Sequence, residues 1–263
     1  MDTNIKTILI SPHSDDIAYS LGGALLKSYF EKPAIMVTIF TKSNFSPRLK
    51  LTDPEEITRI RYLEDIEFAR KIGVEYRIYH FPEPPLRGKI SHKEIFDSDS
   101  FLDPIYKEVY LSISELIKSF PNAVIVSPMS LGDNIDHKIV FESCISICKE
   151  NNIKISFYED VPYVSLLTLK QVKNRALKID PNLEPIKIDV TSTFNEKLKN
   201  LKLYKTQIGQ KVPNGVFTHS ARLGIKNENF IEFVWKTKLL KYFFYYYLYI
   251  EKKSRYERIW RFP

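Results

Sequence analysis

Ser11-Pro12-His13-Ser14-Asp15-Asp16 interrupts the chain between two patterns of different period. Before it, residues 7–10 (Thr-Ile-Leu-Ile) form a short β-rich apolar run. After it, residues 17–30 carry apolar side chains at helical spacing around Leu21, Leu25 and Leu26. A strand that hands over to a helix is the unit of a parallel α/β sheet, and the turn between them lies on the carboxyl edge, where such sheets bind ligands. His13 and Asp16 are three residues apart at the start of that helix, so their side chains can converge while Asp15 points elsewhere. Imidazole nitrogen and carboxylate oxygen are ordinary zinc ligands, and a catalytic site needs three protein ligands plus an open position. The plainer use of Asp15 and Asp16 is to cap the helix, where carboxylates offset the N-terminal dipole.

The alternation continues outward. Residues 34–40 predict a second strand, 54–72 a long amphipathic helix with Asp53 as its cap and Gly73 as its stop, and 76–81 a third strand. A helix over 103–120, a strand over 123–127, a helix over 135–149 and a strand over 155–158 follow. The fold class is therefore α/β, Rossmann-like, with a mostly parallel sheet and helices on both faces. Residues 81–100, punctuated by Pro82, Pro84, Pro85 and Gly88, form a long connection of the kind that often carries function. Beyond Val190 the sequence predicts a helix through Tyr204 and Gln207, an irregular stretch over 209–224, and a C-terminal helical extension over 230–263. All of it is read as one domain, 1–263.

With 263 residues, 44% of them hydrophobic and 27% charged, the chain can bury a sizeable core. The formal charge of +7 is scattered, no Gly-x-Gly-x-x-Gly follows a strand and there is no Walker loop, so nucleic acid is not an expected partner. Cys144 and Cys148, four apart on a predicted helix, read as buried packing in a reducing compartment. The N-terminus lacks a secretory pattern and no stretch reaches the ~20 apolar residues of a spanning helix, so a cytoplasmic location is expected. The Tyr- and Phe-rich residues 239–250, with Lys238, Lys241, Lys252, Lys253 and Arg255 around them, suit a peripheral membrane contact, a cover over the core, or a homo-oligomer contact.

His137 is the candidate third ligand. It ends the segment Ser127-Pro128-Met129-Ser130-Leu131-Gly132-Asp133-Asn134-Ile135-Asp136-His137, which again leaves a strand and begins a helix on the same edge. His80, His92 and His219 lack that setting. Together, Pro12-His13-x-Asp15-Asp16 and the later Asp136-His137 resemble the PIG-L or LmbE-like family of zinc-dependent N-acetylglucosamine de-N-acetylases. Further similarity, to the branch found with glycan and polysaccharide genes, extends through Arg61-x-x-Glu64, Pro85-Leu86-Arg87, Tyr158-Glu159-Asp160 and Glu257-Arg258-Ile259-Trp260. The resemblance implies one Zn2+ held by His13, Asp16 and His137, Asp15 as the general base that deprotonates the attacking water, and an N-acetylated sugar as substrate. It also implies a substrate-facing arginine at Arg61, although an ion pair along the helix with Glu64 or Asp65 suits that residue equally. Arg87 and His219 are further candidate substrate contacts.

One position departs from the family. A histidine usually stands three residues before the last ligand, and this chain has Asn134 there. Asn134 can donate a hydrogen bond to an oxyanion but cannot supply a proton near neutral pH. That leaves Asp15 to return its proton, or His219 to fold back as the acid. Asp136 either orients an imidazole or caps the helix. The departure also keeps open a hydrolase of another amide, or a weakly active or non-catalytic glycan-binding descendant.

Overall fold

The computed structural model describes residues 4–208, 214–225 and 254–263. Strands β1 (Thr7–Ser11), β2 (Ala34–Lys42), β3 (Glu75–Pro82), β4 (Val124–Pro128) and β5 (Ile155–Tyr158) pair in parallel, in the order β3-β2-β1-β4-β5. β1 and β5 are buried at every position, which is why they read as continuous apolar runs and not as alternating ones. Helices flank both faces: α1 (Asp16–Leu26), α2 (Pro54–Ile72), the short α3 (His92–Phe96), α4 (Tyr106–Lys118) and α5 (Ile135–Glu150), followed by α6 (Leu169–Ile179), α7 (Phe194–Leu201) and α8 (Asn214–Arg222). The result is a three-layer α/β fold.

Local chemistry sets the helix bounds where it is strong. At α2 the Asp53 carboxylate accepts the Glu55 N–H, Pro54 occupies the first turn, and Gly73 takes the left-handed conformation at φ 64° that ends the helix. Strand order positions the site. The chain steps outward from β1 to β2 and β3, then returns to lay β4 on the other side of β1. The turns leaving β1 and β4 therefore diverge, and the crevice between them is the topological switch point of the sheet.

The C-terminal part differs from the sequence reading. Residues 256–261 are not helical: β7 (Tyr256–Arg261) lies antiparallel between β5 and β6 (Glu184–Asp189). Its buried charges hide the strand pattern. Glu257 accepts from the Gly23 and Ala24 N–H groups at 2.9 and 2.8 Å and from Lys197 Nζ at 2.6 Å, while Arg258 pairs with Glu159. Within 209–224, read as irregular, residues 214–222 form α8, and the helix after Val190 ends at Leu201. Residues 226–253, with the aromatic stretch 239–250, lie outside the described residues. Cys144 and Cys148 are free and buried, and no helix among the described residues is long and apolar enough to cross a membrane.

Candidate active site

The turn after β1 is built to aim three side chains. Ser11 Oγ donates to the His13 carbonyl at 2.7 Å, and Asp16 Oδ2 accepts the His13 N–H at 2.9 Å. Asp15 takes φ 89°, a left-handed conformation that Asp tolerates better than most residues, and it directs its carboxylate into the crevice. Asp16 then begins α1.

Asp16 Oδ2 lies 3.4 Å from His13 Nδ1 and 3.3 Å from His137 Nε2, and the three donor atoms are all within 4.8 Å of one another. A tetrahedral ion with bonds of about 2.0–2.1 Å separates its ligands by roughly 3.3–3.4 Å, and the two distances from Asp16 match that spacing. The remaining ring nitrogens are occupied. His13 Nε2 meets Asp136 Oδ2 at 2.9 Å and His137 Nδ1 meets Asp160 Oδ1 at 2.6 Å, the carboxylate–histidine pairing that orients metal-binding imidazoles. His137 Nε2 is left fully buried with no hydrogen-bond partner, facing Asp16. A buried polar atom without a partner is costly, and a cation at this point would satisfy it.

The electrostatics agree. Burial alone would lower the histidine pKa values, yet hydrogen bonds to Asp136 and Asp16 raise His13 to about 9, and Asp16 and Asp160 raise His137 to about 10. Asp16 is held well below the usual carboxylate range, because the two imidazoles outweigh its burial. Protons thus balance a negative cluster that a divalent cation would otherwise balance, and metal binding would displace them. Asp15 is pushed the other way, upward, by burial and by the charge of Asp16, against the pull of Arg61 and His13.

A cavity of about 440 Å3 opens over the cluster, and Asp15, Asn134 and Arg61 line it. Asn134 Oδ1 caps α5 by accepting the Asp136 N–H at 2.9 Å, so its amide nitrogen is the group available to a ligand. Arg61 is buried and does not pair with Glu64 or Asp65. It donates to Glu83 at 2.6 Å and to Ser43 Oγ at 2.6 Å. Aromatic rings of Tyr19, Phe45, Phe96 and Tyr163 complete the wall. Tyr163 meets the His137 ring edge-on at 5.5 Å, in space that exists because residue 132 is glycine: a Cβ there would overlap the Tyr163 ring.

Two expected substrate contacts lie elsewhere. Arg87 is half-buried outside the cavity lining and donates to Asp136 Oδ1 at 2.8 Å, to Asp103 at 3.2 Å and to the Pro82 carbonyl at 2.6 Å. It reaches the site through Asp136, whose other carboxylate oxygen meets His13 Nε2. His219 packs on Glu159, with Nε2 at 2.7 Å from its carboxylate, while Nδ1 accepts from Arg222 Nε at 3.0 Å. The arginine donor fixes the neutral tautomer with the proton on Nε2. Burial and the Arg222 charge lower His219 to about 4, and Glu159 and Arg222 engage both of its ring nitrogens. Its folded pKa lies below the ordinary value of 6.5, so its contribution to stability is complete above pH 6.5 and is lost as pH falls toward 4. The loss expected is about 3 kcal/mol. His219→Gln should remove that part of the pH slope in denaturant unfolding between pH 7 and 4.

Sequence reading missed Asp160 and Glu83. Asp160 lies two residues beyond the end of β5, on the same edge as the candidate ligands, and its Oδ2 accepts the Met129 and Leu131 N–H groups at 3.1 Å each, tying the β4 turn to His137. Its nearness to a strand end was the available signal.

The PIG-L family, described as GlcNAc-PI de-N-acetylase, matches residues 8–148. The 2'-N-acetylparomamine deacetylase of Streptomyces fradiae is 27% identical over 221 residues, covering 82% of this chain and 78% of that protein. A deacetylase–teicoplanin complex from the teicoplanin biosynthesis pathway superposes with a TM-score of 0.67 at 16% identity, with 97% of each chain covered. The 4-carboxy-2-hydroxymuconate hydratase of Pseudomonas putida superposes with a TM-score of 0.59 at 13% identity, covering 98% of this chain and 97% of that one. At such identities these structural likenesses bear on the fold alone. The family match spans more than half of the sequence and contains His13, Asp16 and His137, so the chain belongs to the PIG-L family.

Proposed function

We propose that the protein is a zinc-dependent hydrolase that removes the acetyl group from an N-acetylated amino sugar. The observation that carries this reading is the convergence of His13, Asp16 and His137, with His137 Nε2 buried, without a hydrogen bond and 3.3 Å from Asp16 Oδ2. Zinc bound there would polarise the acetamide carbonyl and lower the pKa of water. The chain supplies the rest. Asp15 projects its carboxylate into the cavity and, with its pKa raised, suits a group that takes a proton from water and returns it to the departing amine. The Asn134 amide and the Tyr163 hydroxyl belong to residues that line the cavity, and as neutral donors they would hold the oxyanion of the tetrahedral intermediate. Burial raises the Tyr163 pKa well above its ordinary value, so its hydroxyl keeps its proton at every working pH.

The substrate class follows from the cavity and the relatives. Aromatic rings facing a few polar groups suit the apolar faces and hydroxyls of a sugar, and the S. fradiae relative is by name a deacetylase of an N-acetylated aminoglycoside. The test is acetate release by purified, zinc-loaded protein from a neutral N-acetylglucosaminide and from simple acylated amines. Release from the sugar alone supports the reading. Sugar binding without acetate release would identify a non-catalytic descendant, and release only from non-sugar amides would overturn the sugar assignment.

A further inference from the structure

A second cavity, of about 710 Å3, lies between α2 and the edge strand β3. Tyr76, Ile78 and His80 alternate along β3 and so share one face of it, while Pro54, Thr58 and Tyr62 repeat at helical spacing on α2. Lys42 at the end of β2 and Leu86 close the groove at the carboxyl edge of the sheet. This groove shares a wall with the catalytic cavity. In the 3-10 turn Pro84–Arg87, Pro84 and Pro85 line the catalytic cavity and Leu86 lines the groove. Thr58 Oγ1 accepts the Ser43 N–H at 3.1 Å, and Ser43 Oγ bonds Glu83 and Arg61 on the catalytic side.

The lining is ordered along its length. Lys42 and the His80 imidazole stand at the end nearest the catalytic mouth, and Arg59 is the second cation on the wall. Glu55 is the one acid among the lining residues, and none of Lys42, Arg59 and His80 has an ion pair or side-chain hydrogen bond with another described residue. At the far end the Tyr62 and Tyr76 rings lie 5.9 Å apart, tilted 38° to one another. Tyr76 to His80 spans four residues of strand, or roughly 13 Å.

We propose that this groove is a subsite for a nucleoside diphosphate, with the phosphates against Lys42, Arg59 and His80 and the base on the Tyr62–Tyr76 face. Lys42 and His80 nearest the sugar cavity and aromatic rings beyond them reproduce the order sugar, diphosphate, nucleoside. The cradle is made of side chains, which is why no glycine-rich phosphate loop is needed. The proposal rests on the functional reading above only for the place of the sugar; the subsite itself binds by charge and stacking.

Calorimetric titration of UDP, pyrophosphate and uridine into the full-length protein tests it. UDP should bind more tightly than either fragment. Arg59→Ala and Tyr62→Ala should each weaken UDP about tenfold, and neither should change acetate release from a neutral N-acetylglucosaminide, since neither residue lines the catalytic cavity. No UDP binding, UDP binding indifferent to both substitutions, or pyrophosphate binding as tightly as UDP would each overturn the proposal. Absence of acetate release from the neutral sugar would count against the hydrolase reading, and the UDP titration would still decide the subsite.

Discussion

Asp15→Asn should lower kcat for acetate release by roughly 10²–10⁴-fold while leaving one zinc ion per chain in place. The amide keeps the size and polarity of the carboxylate but cannot accept a proton from water. None of the three ligand atoms belongs to Asp15, so metal content should not follow activity downward. The substitution is also kind to the backbone. Residue 15 sits at φ 89°, where Asn is tolerated more readily than Ala, so loss of rate can be read as loss of the base and not of the turn. Metal analysis beside steady-state kinetics checks this. Zinc lost in step with activity would make Asp15 a structural support of the site.

Asp160→Asn should weaken zinc binding by about 10–100-fold, with much of the activity restored at saturating zinc. Asp160 holds His137 Nδ1 at 2.6 Å and, through its other oxygen, the two backbone N–H groups of the β4 turn. Asn can preserve the backbone contacts or the imidazole contact with a carbonyl oxygen, but without the charge that makes His137 a stronger ligand. The signature is therefore a shifted zinc titration with a nearly unchanged plateau, the reverse of the Asp15→Asn pattern. Asp136→Asn should shift the titration through His13 in the same way, but it also removes the charge that pairs with Arg87.

What the sequence disclosed depended on how local the cause was. The caps of α2, the strand–turn–helix around His13 and the second such unit around His137 are written in short-range chemistry, and each stands where its residues indicate. Glu83, the ion-pair partner of Arg61, was not legible, and Asp160 only by its nearness to a strand end, because both meet the site through the order in which strands line up. Arg87 and His219 carried the right chemistry for a substrate contact, but their side chains are consumed by Asp136 and Glu159. β7 was hidden by the buried charges Glu257 and Arg258, whose partners come from α1, α7 and the residue after β5. Fold and activity are separable as well. A hydratase shares this architecture, so the functional reading rests on the ligand cluster and the family match rather than on the sheet.

Zinc titrated into chelator-stripped protein, with acetate release from an N-acetylglucosaminide as the readout, tests the central claim most directly. Activity should rise from the background and level off at one ion per chain, and His137→Ala should stay flat over the same range. Full activity in stripped protein, or a His137→Ala variant that titrates like the parent, would contradict it.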